Sequence, residues 1–160
     1  MESTVGMGEI MVAESPHLLR AVGVGSCIAV TLYDIDTSIG GLAHIMLPCI
    51  EEALDKSCPA RYTDAAIGMM IDRMQKQGAS IQHVRAKIFG GANMFSEIIS
   101  SDSTMDIGKR NISAVREELE RRDIEIIAED VGDHIGRSVL FDTSDGSVVV
   151  KTVNIGEKQY

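Results

Sequence analysis

Ile28-Ala29-Val30-Thr31-Leu32-Tyr33, then Asp34-Ile35-Asp36-Thr37-Ser38, then Gly40-Gly41-Leu42-Ala43-His44-Ile45-Met46-Leu47: this stretch reads as strand, turn, strand. The first run alternates β-branched and aromatic side chains with smaller ones, the pattern of a pleated surface packed on a core. Asp34 to Ser38 is a cluster of turn formers. Pro48 has no N–H for a ladder and stops the second run. The spacing predicts an antiparallel hairpin.

Working outward, Val5 to Glu14 predicts an early strand, and Leu18 to Val24 is a further apolar stretch. Pro48 to Arg61 is the most loop-like section, with prolines near both ends. Thr63 or Asp64 is placed to cap a helix running to about Gln77, ended by Gly78. Ala66, Met69, Met70 and Met74 are expected along one face of it. Val84 to Phe89 predicts a buried strand, followed by Gly90-Gly91. Gly108 to Arg122 predicts a second helix with Ile112, Val115 and Leu119 on one face. Ile124 to Val131 predicts a strand. Arg137 to Asp142 and Val148 to Val153 predict a last hairpin, turned at Ser144-Asp145-Gly146. Two helices and about six strands make one α/β domain over residues 1-160: a layered sandwich in which two main helices pack on a mixed β-sheet. The hairpins argue against a purely parallel sheet.

Composition narrows the function. The chain has 160 residues and a net charge of -9. Nucleic-acid binding rests on Lys and Arg neutralising phosphates, so this balance argues against it, and against a basic membrane-surface patch. No apolar run approaches the roughly 20 residues that span a bilayer, so membrane insertion is not expected. With no Trp, three Tyr and three Phe, the core is aliphatic and rich in Met. The N-terminus lacks the basic and apolar regions of a secretory signal. The three cysteines, Cys27, Cys49 and Cys58, are too few and too odd in number for a complete disulfide framework. Free thiols without a signal point to the cytoplasm.

The segment richest in chemistry is Gly23-Val24-Gly25-Ser26-Cys27. Glycines let a substrate approach the backbone, and a turn such as Gly25-Ser26-Cys27 can aim N–H groups at a developing oxyanion. A thiol becomes a nucleophile only with a base or a positive field beside it. Cysteine is also among the most buried residue types, so Cys27 reads equally as a small core hydrophobe. His44 is the natural base if the hairpin forms, since the start of one strand and the middle of the other then lie side by side. A satisfied core histidine is the competing reading. A catalytic Cys27 is expected to react with iodoacetamide near neutral pH faster than Cys49 or Cys58. Asn93, Met94 and Phe95, after the Gly90-Gly91 pair, could cap the core or form a contact surface for another protein. Redox sensing by Cys27 with Cys49 or Cys58 has no Cys-x-x-Cys pattern behind it. Cys49 and Cys58 lack the spacing of a metal finger.

Gly23-Val24-Gly25-Ser26-Cys27-Ile28-Ala29-Val30 and Gly41-Leu42-Ala43-His44-Ile45-Met46-Leu47-Pro48 resemble the CheD family of chemoreceptor glutamine deamidases. Ala86-Lys87-Ile88-Phe89-Gly90-Gly91-Ala92-Asn93-Met94-Phe95, Ile107-Gly108-Lys109-Arg110-Asn111 and Gly136-Arg137-Ser138 extend the resemblance over most of the chain. It implies a layered α/β fold and a cysteine hydrolase, with Cys27 as nucleophile and His44 as base. The implied substrates are glutamine side chains of methyl-accepting chemotaxis receptors, converted to glutamate. Receptor methylesterase activity and binding of the CheC phosphatase are also implied, and no metal or organic cofactor. The family pattern has a threonine six positions before the cysteine as a third catalytic member; here that position is Ala21. Either the register differs locally, or another group orients His44, for which Thr31 and Asn93 are candidates, or catalysis is slow. The alternative is an adaptor that binds receptors and CheC without catalysis.

Overall fold

The computed structural model describes residues 1–48, 50, 56–94, 106–153 and 156–160. Among these, ten strands form two five-stranded sheets, and two helices cover one of them. The strands are β1 (Glu2–Thr4), β2 (Ile10–Glu14), β3 (Leu18–Val24), β4 (Ile28–Asp34), β5 (Ile39–Ile45), β6 (Val84–Gly90), β7 (Ile126–Val131), β8 (Arg137–Asp142), β9 (Val148–Thr152) and β10 (Gly156–Gln159). The helices are α1 (Thr63–Lys76) and α2 (Ile107–Arg121). The order β1-β3-β8-β9-β10 makes an outer sheet, and β2-β5-β4-β6-β7 makes a central one. Both are mixed: β1 with β3 and β6 with β7 are parallel, and the other pairs antiparallel.

The fold class is the expected one, but the strands divide into two sheets. The alternation along β4 shows why. Ile28, Val30 and Leu32 enter a core shared with Ala66, Ile67, Met70 and Met74 of α1 and Val115 and Leu119 of α2. Ala29 faces the other way, into a second core with Leu19, Val139, Phe141 and Val150 of the outer sheet. A strand apolar on both faces needs a partner layer on each.

The hairpin forms in full register, Ile28 opposite Ile45 through Asp34 opposite Ile39. The predicted strand from Val5 to Glu14 does not form as one piece. It breaks into β1 in the outer sheet and β2 in the central one, and residues 5–9 cross between them. Gly8, at φ +75, permits the turn. Neither Thr63 nor Asp64 caps α1; the N-cap is Tyr62, without a side-chain bond. Thr63 is the first helical residue, and its hydroxyl donates instead to Leu47 O at 3.3 Å. The buried stripe of α1 runs through Ala66, Ile67, Met70, Ile71 and Met74, leaving Met69 to one side. α2 is capped by Asp106, whose carboxylate accepts from Lys109 N at 3.0 Å. Among the described residues, no helix is long and apolar enough to cross a membrane.

Phe141 closes the layer between the sheets. Its ring lies edge-on to Tyr33, centroids 5.9 Å apart, and covers Gly40 so closely that a methyl group there would sit 2.7 Å from it. We expect Phe141→Ala to cost about 3–5 kcal/mol in urea unfolding. A loss below about 1 kcal/mol would show that the sheets do not pack through this ring.

Candidate active site

Cys27 ends the turn that joins β3 to β4. Gly91 N donates to Cys27 O at 2.8 Å, and Ala92 N donates to Gly25 O at 2.9 Å, so residues 90–92 run alongside the turn. The approach is close: a methyl group on Gly90, at φ +109, would lie 2.3 Å from Cys27 O. Only glycine fits there. Arg137, buried, secures the same crossing. Its guanidinium donates to Gly90 O (3.2 Å) and Gly132 O (2.9 Å) and pairs with Asp130 at 3.2 Å. Among the described residues, the N–H groups of Ser26 and Cys27 donate to no backbone carbonyl outside the strands, and the Cys27 N–H turns toward its own thiol.

His44 lies on β5 opposite Ala29. Cys27, in the turn two residues before Ala29, packs in the same inter-sheet core as Ala29. The register therefore sets His44 on the face of the central sheet toward which Cys27 packs. His44 is 1% exposed and Cys27 8%.

The crossing segment holds His44. Gly8 N donates to His44 O at 2.8 Å, and His44 N donates to Glu9 O at 3.1 Å. The ring Nδ1 lies 3.3 Å from Val5 O. A carbonyl can only accept, so this bond places the proton on Nδ1 and leaves Nε2 with its lone pair. Nε2 is buried and has no hydrogen-bond partner among the described residues. The side-chain substitutes considered for Ala21 are not needed. Thr31 donates its hydroxyl to Lys87 O at 3.4 Å. The Asn93 backbone is tied to the loop after β7, N donating to Asp133 O at 2.8 Å and O contacting His134 Nδ1 at 3.1 Å. Ala21 is buried in β3, one residue past the Arg20 that pairs with Thr4, and Val5 N donates to Arg20 O at 2.7 Å. The chain beside Ala21 thus brings a backbone acceptor, Val5 O, to His44 Nδ1.

Burial pushes the Cys27 thiol above its ordinary range. Burial also pulls the His44 imidazole below its usual value, against the opposing pull of the Val5 carbonyl and the Glu9 charge. Both directions favour a thiol and a neutral imidazole over a thiolate–imidazolium pair.

Other expected features fall as follows. Met94 is exposed, and its thioether packs over Gly25. Asn93 is buried, and Phe95 and Cys49 lie outside the described residues. Cys58 is a free thiol that contacts Gly8 O at 3.6 Å. Among the described residues, Asp34, Asp36 and His83 could together hold a metal ion. They sit at the end of β4 away from Cys27, where the Asp34 carboxylate already accepts the N–H groups of Asp36, Thr37 and Ser80.

The fold and geometry define a class: a layered α/β protein with a buried cysteine in the turn before β4 and a buried histidine on the neighbouring strand β5. Residues 46–152 match the family described as CheD, chemotactic sensory transduction. The chain is 45% identical over 158 residues to the "Probable chemoreceptor glutamine deamidase CheD" of Clostridium tetani, covering 99% of this chain and 95% of that protein. It is 44% identical over 155 residues to the protein of the same name from Clostridium novyi, covering 97% and 95%. For that from Clostridium botulinum (strain Hall) the figures are 42% over 158 residues, 99% and 97%. The backbone is also similar, at TM-score 0.48 and 15% identity, to the crystal structure of Bacillus licheniformis hypothetical protein YfiH, over 78% of this chain and 51% of that one. This chain belongs to the CheD family.

The burial of Cys27 reverses one expectation from the sequence. A thiol held neutral alkylates more slowly at pH 7 than an ordinary one, because only the thiolate reacts. Iodoacetamide should label Cys27 more slowly than Cys58 at pH 7. The Cys27 rate should keep rising beyond pH about 8.5, where a free cysteine is half ionised. Peptide-level mass spectrometry reads both rates; faster labelling of Cys27 at pH 7 would contradict the neutral pair.

Proposed function

We propose that this protein deamidates glutamine side chains of chemotaxis receptors, with Cys27 as nucleophile and His44 as base. One observation carries the reading: His44 is tied through Nδ1 to the Val5 carbonyl, and its bare Nε2 is buried on the face shared with Cys27. The names of the relatives supply the substrate class.

The steps balance without an outside reagent. A glutamine side chain enters beside the turn, and Nε2 takes the Cys27 proton as sulfur attacks the amide carbon. Making the thiolate only at this moment suits a neutral resting pair, and a thiol of raised pKa is the stronger nucleophile once ionised. The backbone N–H groups of Ser26 and Cys27 turn to the oxyanion as the thiol is consumed and stabilise it. His44 returns the proton to the departing nitrogen, ammonia leaves, and a thioester to Cys27 remains. Water, deprotonated by Nε2, attacks the thioester; the Cys27 sulfur leaves and takes that proton back from Nε2, and the glutamic acid released ionises to glutamate. A receptor methyl ester can follow the same route with methanol as leaving group, which accounts for methylesterase activity. Hydrolysis needs no cofactor in this scheme. The reducing cytoplasm, where receptor signalling domains and free thiols coexist, is the setting that suits it.

Met94, exposed over Gly25, is the proposed contact for the receptor and for CheC. The adaptor reading drew its support from Ala21. The Val5 carbonyl supplies the missing acceptor and removes that support.

Incubation with receptor cytoplasmic fragments should release ammonia and shift particular glutamines by one mass unit to glutamate. Cys27→Ala should lower the rate by at least about 1,000-fold; retained activity would refute the mechanism. Because the orienting acceptor is a backbone group, Ala21→Thr should change kcat by less than about tenfold. A gain above about 100-fold would show that the carbonyl does not do this work.

A further inference from the structure

The ladder between β4 and β5 stops one step short of the nucleophile. Ile28 pairs with Ile45, and continued pairing would set Cys27 opposite Met46. Instead Met46 N and Leu47 N both turn to Arg61 O, at 2.8 and 2.9 Å. The strand ends part beside the turn that carries Cys27.

A side chain from α2 spans that opening. Asn111 is fully buried, and its Nδ2 donates to Ser26 O at 2.9 Å and to Met46 O at 3.0 Å. Both partners are carbonyls, so the amide orientation is fixed, and both hydrogens of Nδ2 are used. Gly108, one turn earlier, lets the helix come this close: a methyl group there would lie 2.5 Å from the carbonyl oxygens of Gly91 and Ala92. The Asn111 Oδ1 is buried with no partner among the described residues. A side chain present for stability alone would leave no such acceptor behind, because an orphaned buried oxygen is a cost.

We infer that Asn111 is a positioning residue: by holding Ser26 O and Met46 O it aims the Cys27 N–H at the oxyanion and fixes the width of the opening between the strands. This rests on the deamidase reading above. A peptide's C=O and N–H point in opposite directions, so a donor on Ser26 O sets the direction of the N–H that Cys27 carries. A bond at the oxygen also polarises the peptide and strengthens that N–H as a donor. Gly91 N holds the next peptide through Cys27 O, so the links on both sides of the nucleophile are fixed.

Two variants test this in the full-length protein with receptor fragments. Asn111→Leu keeps the bulk and removes both donors. It should lower kcat for ammonia release by about 100-fold, the scale of a lost oxyanion donor, with KM held within about threefold. Alkylation of Cys27 by iodoacetamide should stay within about threefold of wild type, because the thiol's burial and its histidine are untouched. Asn111→Asp can donate one bond only while its carboxyl is protonated. Its kcat relative to wild type should therefore be higher at pH 5.5 than at pH 8.5, and this ratio decides the matter if the leucine variant does not fold. A leucine variant with wild-type kcat, a parallel fall in kcat and alkylation, or an aspartate ratio flat in pH would each overturn the proposal. These failures arise with active wild-type protein, whereas a silent wild type, or an active Cys27→Ala, would count against the deamidase reading instead.

Discussion

The bond from His44 Nδ1 to the Val5 carbonyl is the contact on which the site depends. An imidazole buried between two sheets has to give one nitrogen a partner, and the choice of partner decides which nitrogen can act as a base. A carbonyl accepts, so the proton stays on Nδ1 and the lone pair on the nitrogen left unpartnered. That carbonyl is delivered by the crossing from β1 to β2, which also bonds both backbone groups of His44 through Gly8 and Glu9. The two-sheet architecture is thus part of the chemistry: with all the strands in one sheet there would be no crossing beside His44.

The central sheet does two jobs with its two faces. Toward the helices it buries Ile28, Val30, Leu32 and Ile45; toward the outer sheet it holds Cys27 and His44 among Ala29, Leu42 and Phe89. Burial on that second face favours the uncharged pair, and in the proposed mechanism charge separation is deferred to the moment of attack. The backbone around Cys27 is held from three directions, by Gly91 and Ala92, by Arg137 through Gly90, and by Asn111. Rigid supports of this kind let a short turn present N–H groups without reorganising during reaction.

Much of this was legible in the sequence, because the decisive features repeat along a strand or stand out as glycine. The β4–β5 hairpin follows from alternation and a turn cluster, and it sets His44 on the face toward which Cys27 packs. Gly90 and Gly91 were legible only as the end of a buried strand; the structure shows Gly90 against Cys27 O. What was missed has a common cause. Val5 acts through its carbonyl, a group every residue carries, so no side-chain pattern could announce it. The break at Gly6-Met7-Gly8 was hidden by apolar residues on both sides, and the short strands Glu2–Thr4 and Gly156–Gln159 are too polar to signal themselves. Asn111 and Arg137 sat in recognisable blocks, but a polar residue inside a helix or at a strand start does not show from sequence which carbonyls it will meet. Ala21 looked like a missing part because the comparison was made between side chains only.

The central claim concerns one proton, and nitrogen-15 NMR of the His44 ring reads it directly. At pH 7 the free protein should show the Nδ1-protonated tautomer of a neutral imidazole, with Nε2 giving the shift of an unprotonated ring nitrogen in both wild type and Cys27→Ala. A proton on Nε2, or a charged ring carrying both protons, would contradict the account.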